Sequence, residues 1–169
     1  YPGLTAMQLE ATYGSPILMT NRAVPGWSIG HGIEDLEKLL ESQPDLLIVA
    51  YGMNDVGRRD PGWFRDQYGA FLKKLEKLAP GTEVILVSTM IGNQEWVHTP
   101  REMFDKYRDV LAEFQKEGIA LADVTAVWNV MLTEKHDYDL TGNGLNHPND
   151  CGNRLYAQTI LSLLVPVEK

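Results

Sequence analysis

The apolar positions fall into two rhythms that alternate along the chain. Leu4, Met7 and Ala11 recur at helical spacing and Gly14 supplies a stop, so a first helix is expected there. The run PILMTNRAV, 16–24, reads as a strand ending at Pro25-Gly26. Ile33, Leu36, Leu39 and Leu40 mark a second helix over 34–40. The segment DLLIVAY, 45–51, is apolar without a break, the pattern of a strand covered on both faces. Asp60-Pro61 offers a cap and a first-position proline. The helix behind it carries Phe64, Tyr68, Phe71, Leu72, Leu75 and Leu78 and stops at Pro80-Gly81.

EVILVST, 83–89, repeats the buried-strand pattern. Thr99-Pro100-Arg101-Glu102 has the form of a capping box and predicts a helix through Phe104, Tyr107, Leu111 and Phe114 to Gly118. A short strand over 119–124, a short helix over 126–132 and a loop over 136–146 follow. The last helix carries Leu155, Tyr156, Ile160 and Leu163, with Pro148 at its first position. Two-sided apolar strands alternating with helices predict an α/β fold, a parallel sheet sandwiched by helices. Nothing along 1–169 reads as a linker, a repeat or a low-complexity run, so a single domain is expected.

Composition narrows the partners more than the fold. With 44% hydrophobic and 22% charged residues in 169, the chain reads as soluble and globular. A net charge of -8 argues against a nucleic-acid groove or an anionic membrane surface. Apolar runs are too short to span a bilayer. Cys151 is the only cysteine, which excludes an internal disulfide and leaves the compartment open; it reads as a small helix residue. The start, YPGLTAMQLE, has the pattern of neither a signal peptide nor an initiator segment.

In open parallel sheets ligands sit beyond the carboxyl ends of the strands. Three stretches are expected to meet there: 24–32 with Gly26, the Gly52-Met53-Asn54-Asp55 turn, and the loop ending in His147. Gly26 lets backbone approach a substrate and aim an N–H at a developing oxyanion. Asn54 supplies an NH2 donor at any pH, though Gly-x-Asn-Asp is also an ordinary turn composition. His147, just before Pro148, is expected near the positive end of the helix dipole, which favours the neutral imidazole a general base needs. The plain alternative is a capping role. Ser28, in Gly26-Trp27-Ser28-Ile29-Gly30, fits the G-x-S-x-G elbow of α/β-hydrolases, but Gly30 and Gly32 make a poor helix start behind it. His31, His98 and His136 lack metal-ligand spacing and read as surface residues. Trp27, Trp96 and Trp128 read first as packing and second as pocket walls.

The glycine loop, Gly52-Met53-Asn54-Asp55 and the terminal His147-Pro148-Asn149 together resemble the SGNH, or GDSL-like, hydrolase family, in order and over nearly the whole chain. The resemblance implies a flavodoxin-like three-layer sandwich and hydrolysis of small acyl esters, often acetyl groups on carbohydrates, without cofactor or metal. It makes Gly26 and Asn54 oxyanion donors and His147 the base. The family's Gly-Asp-Ser block and its first, central strand would precede Tyr1, so an N-terminal truncation is expected. The family's aspartate three residues before the histidine corresponds to Gly144. A loop longer by one residue puts Asn143 in that place, where its oxygen would accept from the imidazole; Asp139 is a weaker candidate, and Asp150 is expected to cap the helix. In a 2-1-3-4-5 strand order the missing strand leaves 16–24 and 45–51 facing a gap. The outcomes foreseen are a fragment of a longer protein, filling by another segment or chain, or a sheet closed up in a different order; a bare edge would favour association with another chain, a second copy included. A non-catalytic relative that binds a carbohydrate or partner is the other reading.

Overall fold

The computed structural model describes residues 1–166. Three parallel strands form one sheet in the order β1-β2-β3: β1 (Leu46–Val49), β2 (Glu83–Val87) and β3 (Ile119–Ala122). The register is even, with Ile48 beside Ile85 and Ile85 beside Ala120. Eight helices surround the sheet among the described residues: α1 (Pro2–Tyr13), α2 (Ile29–Glu34), α3 (Leu36–Leu39), α4 (Pro61–Leu78), α5 (Arg101–Ala112), α6 (Val124–Met131), α7 (Asp137–Leu140) and α8 (Asp150–Leu164). α4 packs against both α2 and α5, α1 packs on α8, and α6 touches both α5 and α8. Between them β2 is buried from Val84 to Val87, as a central strand of an α/β sandwich should be.

The elements with strong local signals form as the pattern predicts. In α4, Asp60 accepts from the N–H of Trp63 at 2.9 Å, and Phe64, Tyr68, Phe71 and Leu75 turn inward. Leu78 stays exposed at the helix end. Phe104, Tyr107 and Leu111 of α5 meet that face, with the rings of Phe64 and Tyr107 4.4 Å apart.

Other expectations are corrected. The segment 16–24 is not a strand: it runs without regular structure, Leu18 97% exposed, tied by the Ile17 N–H to Glu10 and by Arg22 to Glu41. A strand exists only when a neighbour accepts its backbone bonds. Here the sheet keeps sequence order and ends at β1, whose outer side has no paired strand among the described residues. For the same reason β1 is not covered throughout, and Ile48 in its middle is 37% exposed. Of the outcomes foreseen for the gap, the sheet neither rearranges nor draws in another described segment.

The capping box at Thr99 also fails to form. Its hydroxyl donates to the carbonyls of Asn93 and Trp96, at 2.6 and 2.9 Å, and α5 starts after Pro100 and ends at Ala112, short of Gly118. The predicted loop 136–146 contains the single turn α7. Finally, α8 starts at Asp150 with Asn149 as its cap, accepting from the Gly152 N–H at 3.0 Å. Pro148 therefore precedes the cap rather than opening the helix, and Asp150 is a first-turn residue. His147 lies a step further from the helix dipole than the sequence suggested.

Candidate active site

The first half of the site grows from the end of β1. The chain leaves Val49, turns over Gly52, whose carbonyl accepts from the N–H groups of Asp55 and Val56, and enters a 3-10 turn over Val56–Arg58. Asp55 is 2% exposed, and its carboxylate faces the Ile29 N–H at 3.2 and 3.4 Å. Its own carbonyl accepts from the Tyr107 hydroxyl, whose oxygen accepts in turn from the Asp60 N–H, both at 3.1 Å. Burial pushes the Asp55 carboxyl up to about 6; the bonds from Ile29 and Gly52 and the charges of His31 and Arg58 pull the other way.

Asp55 thereby fixes the start of α2, and the neighbouring Asn54 fixes the loop before it. Asn54 Nδ2 donates to the Trp27 carbonyl at 2.9 Å, and its second N–H, at an exposed position, has no partner among the described residues. Gly26 is exposed and holds φ +80, a left-handed conformation that glycine adopts without strain. The loop of Gly26 and the turn of Asn54 are thus directly joined.

Sequence reasoning discounted a helix beginning at Ile29 because of Gly30 and Gly32, and the structure corrects this. Ile29 is buried and its N–H meets Asp55, a tertiary tie that outweighs the glycines' weak propensity. Gly32 is there for contact: a Cβ would lie 2.6 Å from the Tyr51 ring. Ser28 caps this helix with unstrained extended backbone, φ -106 and ψ 174. Its N–H donates to His31 Nδ1 at 3.1 Å, and its Oγ lies 3.0 Å from the same nitrogen. The His31 ring stacks on Trp27 with centroids 5.5 Å apart.

The second half lies on a turn between α7 and α8. Thr141 and Pro148 bridge its base, and the Gly142 N–H donates to the His147 carbonyl at 2.9 Å. Within it, Asn143 Oδ1 accepts from the N–H groups of Leu145, Asn146 and His147, each at 3.0 Å. That oxygen serves the backbone of the turn, so the expected bond from the imidazole to Asn143 is not made. Asp139 accepts from the His136 N–H at 2.9 Å and makes no bond to the imidazole among the described residues. The His147 ring is exposed and hydrogen-bonds to no described side chain. Gly144 adopts φ +74, and a Cβ there would sit 3.2 Å from the Tyr138 ring.

The two halves share one rim of the sheet, because the loop after β2 touches both. Gly57, just past Asn54, packs against the His98 carbonyl, 3.1 Å from where its Cβ would be. In the same loop, the N–H of Asn93 donates to the Leu145 carbonyl at 2.8 Å and its Nδ2 to that of Gly144 at 2.9 Å. Sequence reasoning treated Asp55 as a turn residue and passed over Asn93. Asp55 could have been suspected from its place between an apolar strand and Val56. Asn93 carried no signal beyond the preceding Gly92. Of the three tryptophans weighed as pocket walls, Trp128 is core, Trp96 lies partly exposed with its edge to His98, and the Trp27 carbonyl takes the Asn54 amide.

The parallel α/β fold thus carries a glycine turn joined to an asparagine amide beyond β1, and a histidine turn tied to the loop after β2. The family model of the GDSL-like lipases/acylhydrolases matches residues 1–155, and the chain belongs to that family. Among solved structures it is similar to a catalytic mutant of Axe2, an acetylxylan esterase from Geobacillus stearothermophilus. The TM-score is 0.80 at 19% identity, over 98% of this chain and 80% of that one. It is also similar to LAE5, an alpha/beta hydrolase from the metagenome of Lake Arreo, Spain. There the TM-score is 0.75 at 21% identity, over 96% and 79% of the two chains. No curated protein matches the sequence.

Proposed function

We propose that this domain removes acetyl or other short acyl groups from esters, with acylated carbohydrate as the substrate class. The nucleophile is a serine from a segment upstream of Tyr1, where the family carries its Gly-Asp-Ser block. That serine's Oγ bonds to the acyl carbon while its proton passes to His147. The carbonyl oxygen, now an oxyanion, takes hydrogen bonds from the Gly26 N–H and the free N–H of Asn54. Collapse expels the alcohol, which recovers the proton from His147. Water then repeats the sequence on the acyl-enzyme and releases the acid. No metal or cofactor enters. The carbohydrate preference draws its support from Axe2, described as an acetylxylan esterase.

The observation that supports this reading is the bond from Asn54 to the Trp27 carbonyl, because it ties the Gly26 loop to the Asn54 turn. One alternative has a specific observation behind it: Ser28 Oγ stands 3.0 Å from His31 Nδ1, in the manner of a nucleophile and its base. Against it, that nitrogen's lone pair is already engaged by the Ser28 N–H, and the serine has a relaxed helix-cap backbone rather than a strained elbow.

The test begins with the intact mass and N-terminal sequence of the native protein, which should show a Gly-Asp-Ser segment before Tyr1. Turnover of a short-chain aryl ester should then fall more than about a hundredfold in His147→Ala and persist in Ser28→Ala. Loss in Ser28→Ala with retention in His147→Ala transfers the chemistry to the Ser28–His31 pair. No turnover in any form leaves a carbohydrate-binding relative.

A further inference from the structure

We propose that Asn93 is a positioning residue for His147, the part through which the rigid sheet holds the histidine turn in place. The inference rests on the hydrolase reading for its catalytic consequence, though not for its geometry. His147 is exposed and its ring has no hydrogen-bonding side chain among the described residues, so its place is set by its backbone. Inside the turn, Asn143 fixes that backbone by collecting three N–H groups. An internally tied turn can still move as a body, and what stops this must come from outside.

The hydrogen bonds that leave 143–147 for the sheet rim both end on Asn93. The Gly144 carbonyl accepts from its side chain and the Leu145 carbonyl from its backbone. Asn93 is itself immobilised. It is 2% exposed, its Oδ1 accepts from the Glu95 N–H at 3.0 Å, and its carbonyl accepts from the Thr99 hydroxyl at 2.6 Å. It follows β2 by six residues, with Met90 and Ile91 buried between. A buried amide has no reason to face another loop's carbonyl except to hold it, since an unmade bond there would cost about 1–3 kcal/mol. A second clasp, from the Tyr138 hydroxyl to Glu95 at 2.6 Å, ties α7 to the same loop but lies at the surface.

The experiment is hydrogen exchange on the full-length protein with Asn93→Ser. Serine can still accept from the Glu95 N–H but is too short to reach the Gly144 carbonyl. Exchange at 145–147 should quicken about tenfold while the β2 amides, 84–87, keep their rates. In the active protein kcat should drop about tenfold at unchanged KM. Uniform acceleration, β2 included, would mean a general packing role and overturn the proposal, as would unchanged exchange at 145–147. Asn93→Asp, isosteric but with an acceptor facing the Gly144 carbonyl, gives the same reading should the serine variant fold poorly. If the unaltered protein hydrolyses no ester, the local contrast still supports Asn93 as the anchor, and the hydrolase reading alone falls.

Discussion

The two halves of the rim are held by opposite means. At the Asn54 side, side chains fasten backbone from separate elements: Asn54 grips the Trp27 carbonyl, and the buried Asp55 grips the start of α2. At the His147 side, the turn is fastened mostly to itself, through Asn143, and the His147 ring has no hydrogen-bonding side chain among the described residues. The first arrangement suits groups whose task is to stand still, since an oxyanion donor works by not reorganising. The second suits a group that must take a proton and give it back. On the proposed mechanism, the ties between elements fall where charge would be stabilised, and the unbonded side chain falls where a proton would move.

Substitution at Asn54 should break this contrast most sharply. Asn54→Ala removes the proposed oxyanion donor and the link to Trp27 together. Turnover of a short acyl ester in the serine-bearing protein should fall by about 10²–10³. Because Asn54 is exposed, the melting temperature should move little. A large fall in stability with modest loss of turnover would make Asn54 a structural clasp and nothing more.

Asp55 supplies the next largest effect, and it depends on pH. Its carboxyl is held at about 6 in the folded protein, above the ordinary 3.8. Between those values the folded state binds more protons than the unfolded one, so stability falls as pH rises through that window. About two pH units correspond to roughly 3 kcal/mol, fully lost above pH 6. Denaturant unfolding from pH 3.5 to 7 should show this slope, and Asp55→Asn should flatten it. The same slope in both proteins would assign it to other groups.

What could be read in advance divides along the same line between local and tertiary causes. The helix α4 and the strand β2 were legible because an apolar period of 3.6 or an unbroken apolar run suffices to specify them. So was the turn over 52–55, whose glycine and asparagine are turn residues. The segment 16–24 was misread because a strand needs a partner, and pairing is not written in one stretch. Thr99 was misread because its hydroxyl finds the Asn93 carbonyl, six residues back, a better use than the N-terminus of α5. Asp55 and Asn93 act on backbone 26 and 51 residues away, and no local pattern records such a bond.

Gly144 offers the smallest effect and the finest test of the comparison. In the family this is the place of an aspartate, and restoring it asks whether the histidine half could be built like the asparagine half. The structure argues against it. Gly144 sits at φ +74, where a side chain is strained, and a Cβ would press on the Tyr138 ring at 3.2 Å. Gly144→Asp should therefore cost about 1–2 kcal/mol, lowering the melting temperature by roughly 3–6 °C. It should bring no gain in turnover, because the new carboxylate starts against the Tyr138 ring. A rise in kcat would show that the turn can be recast with a carboxylate supporting the ring. The free imidazole would then be an accident of one residue rather than the way this half of the site works.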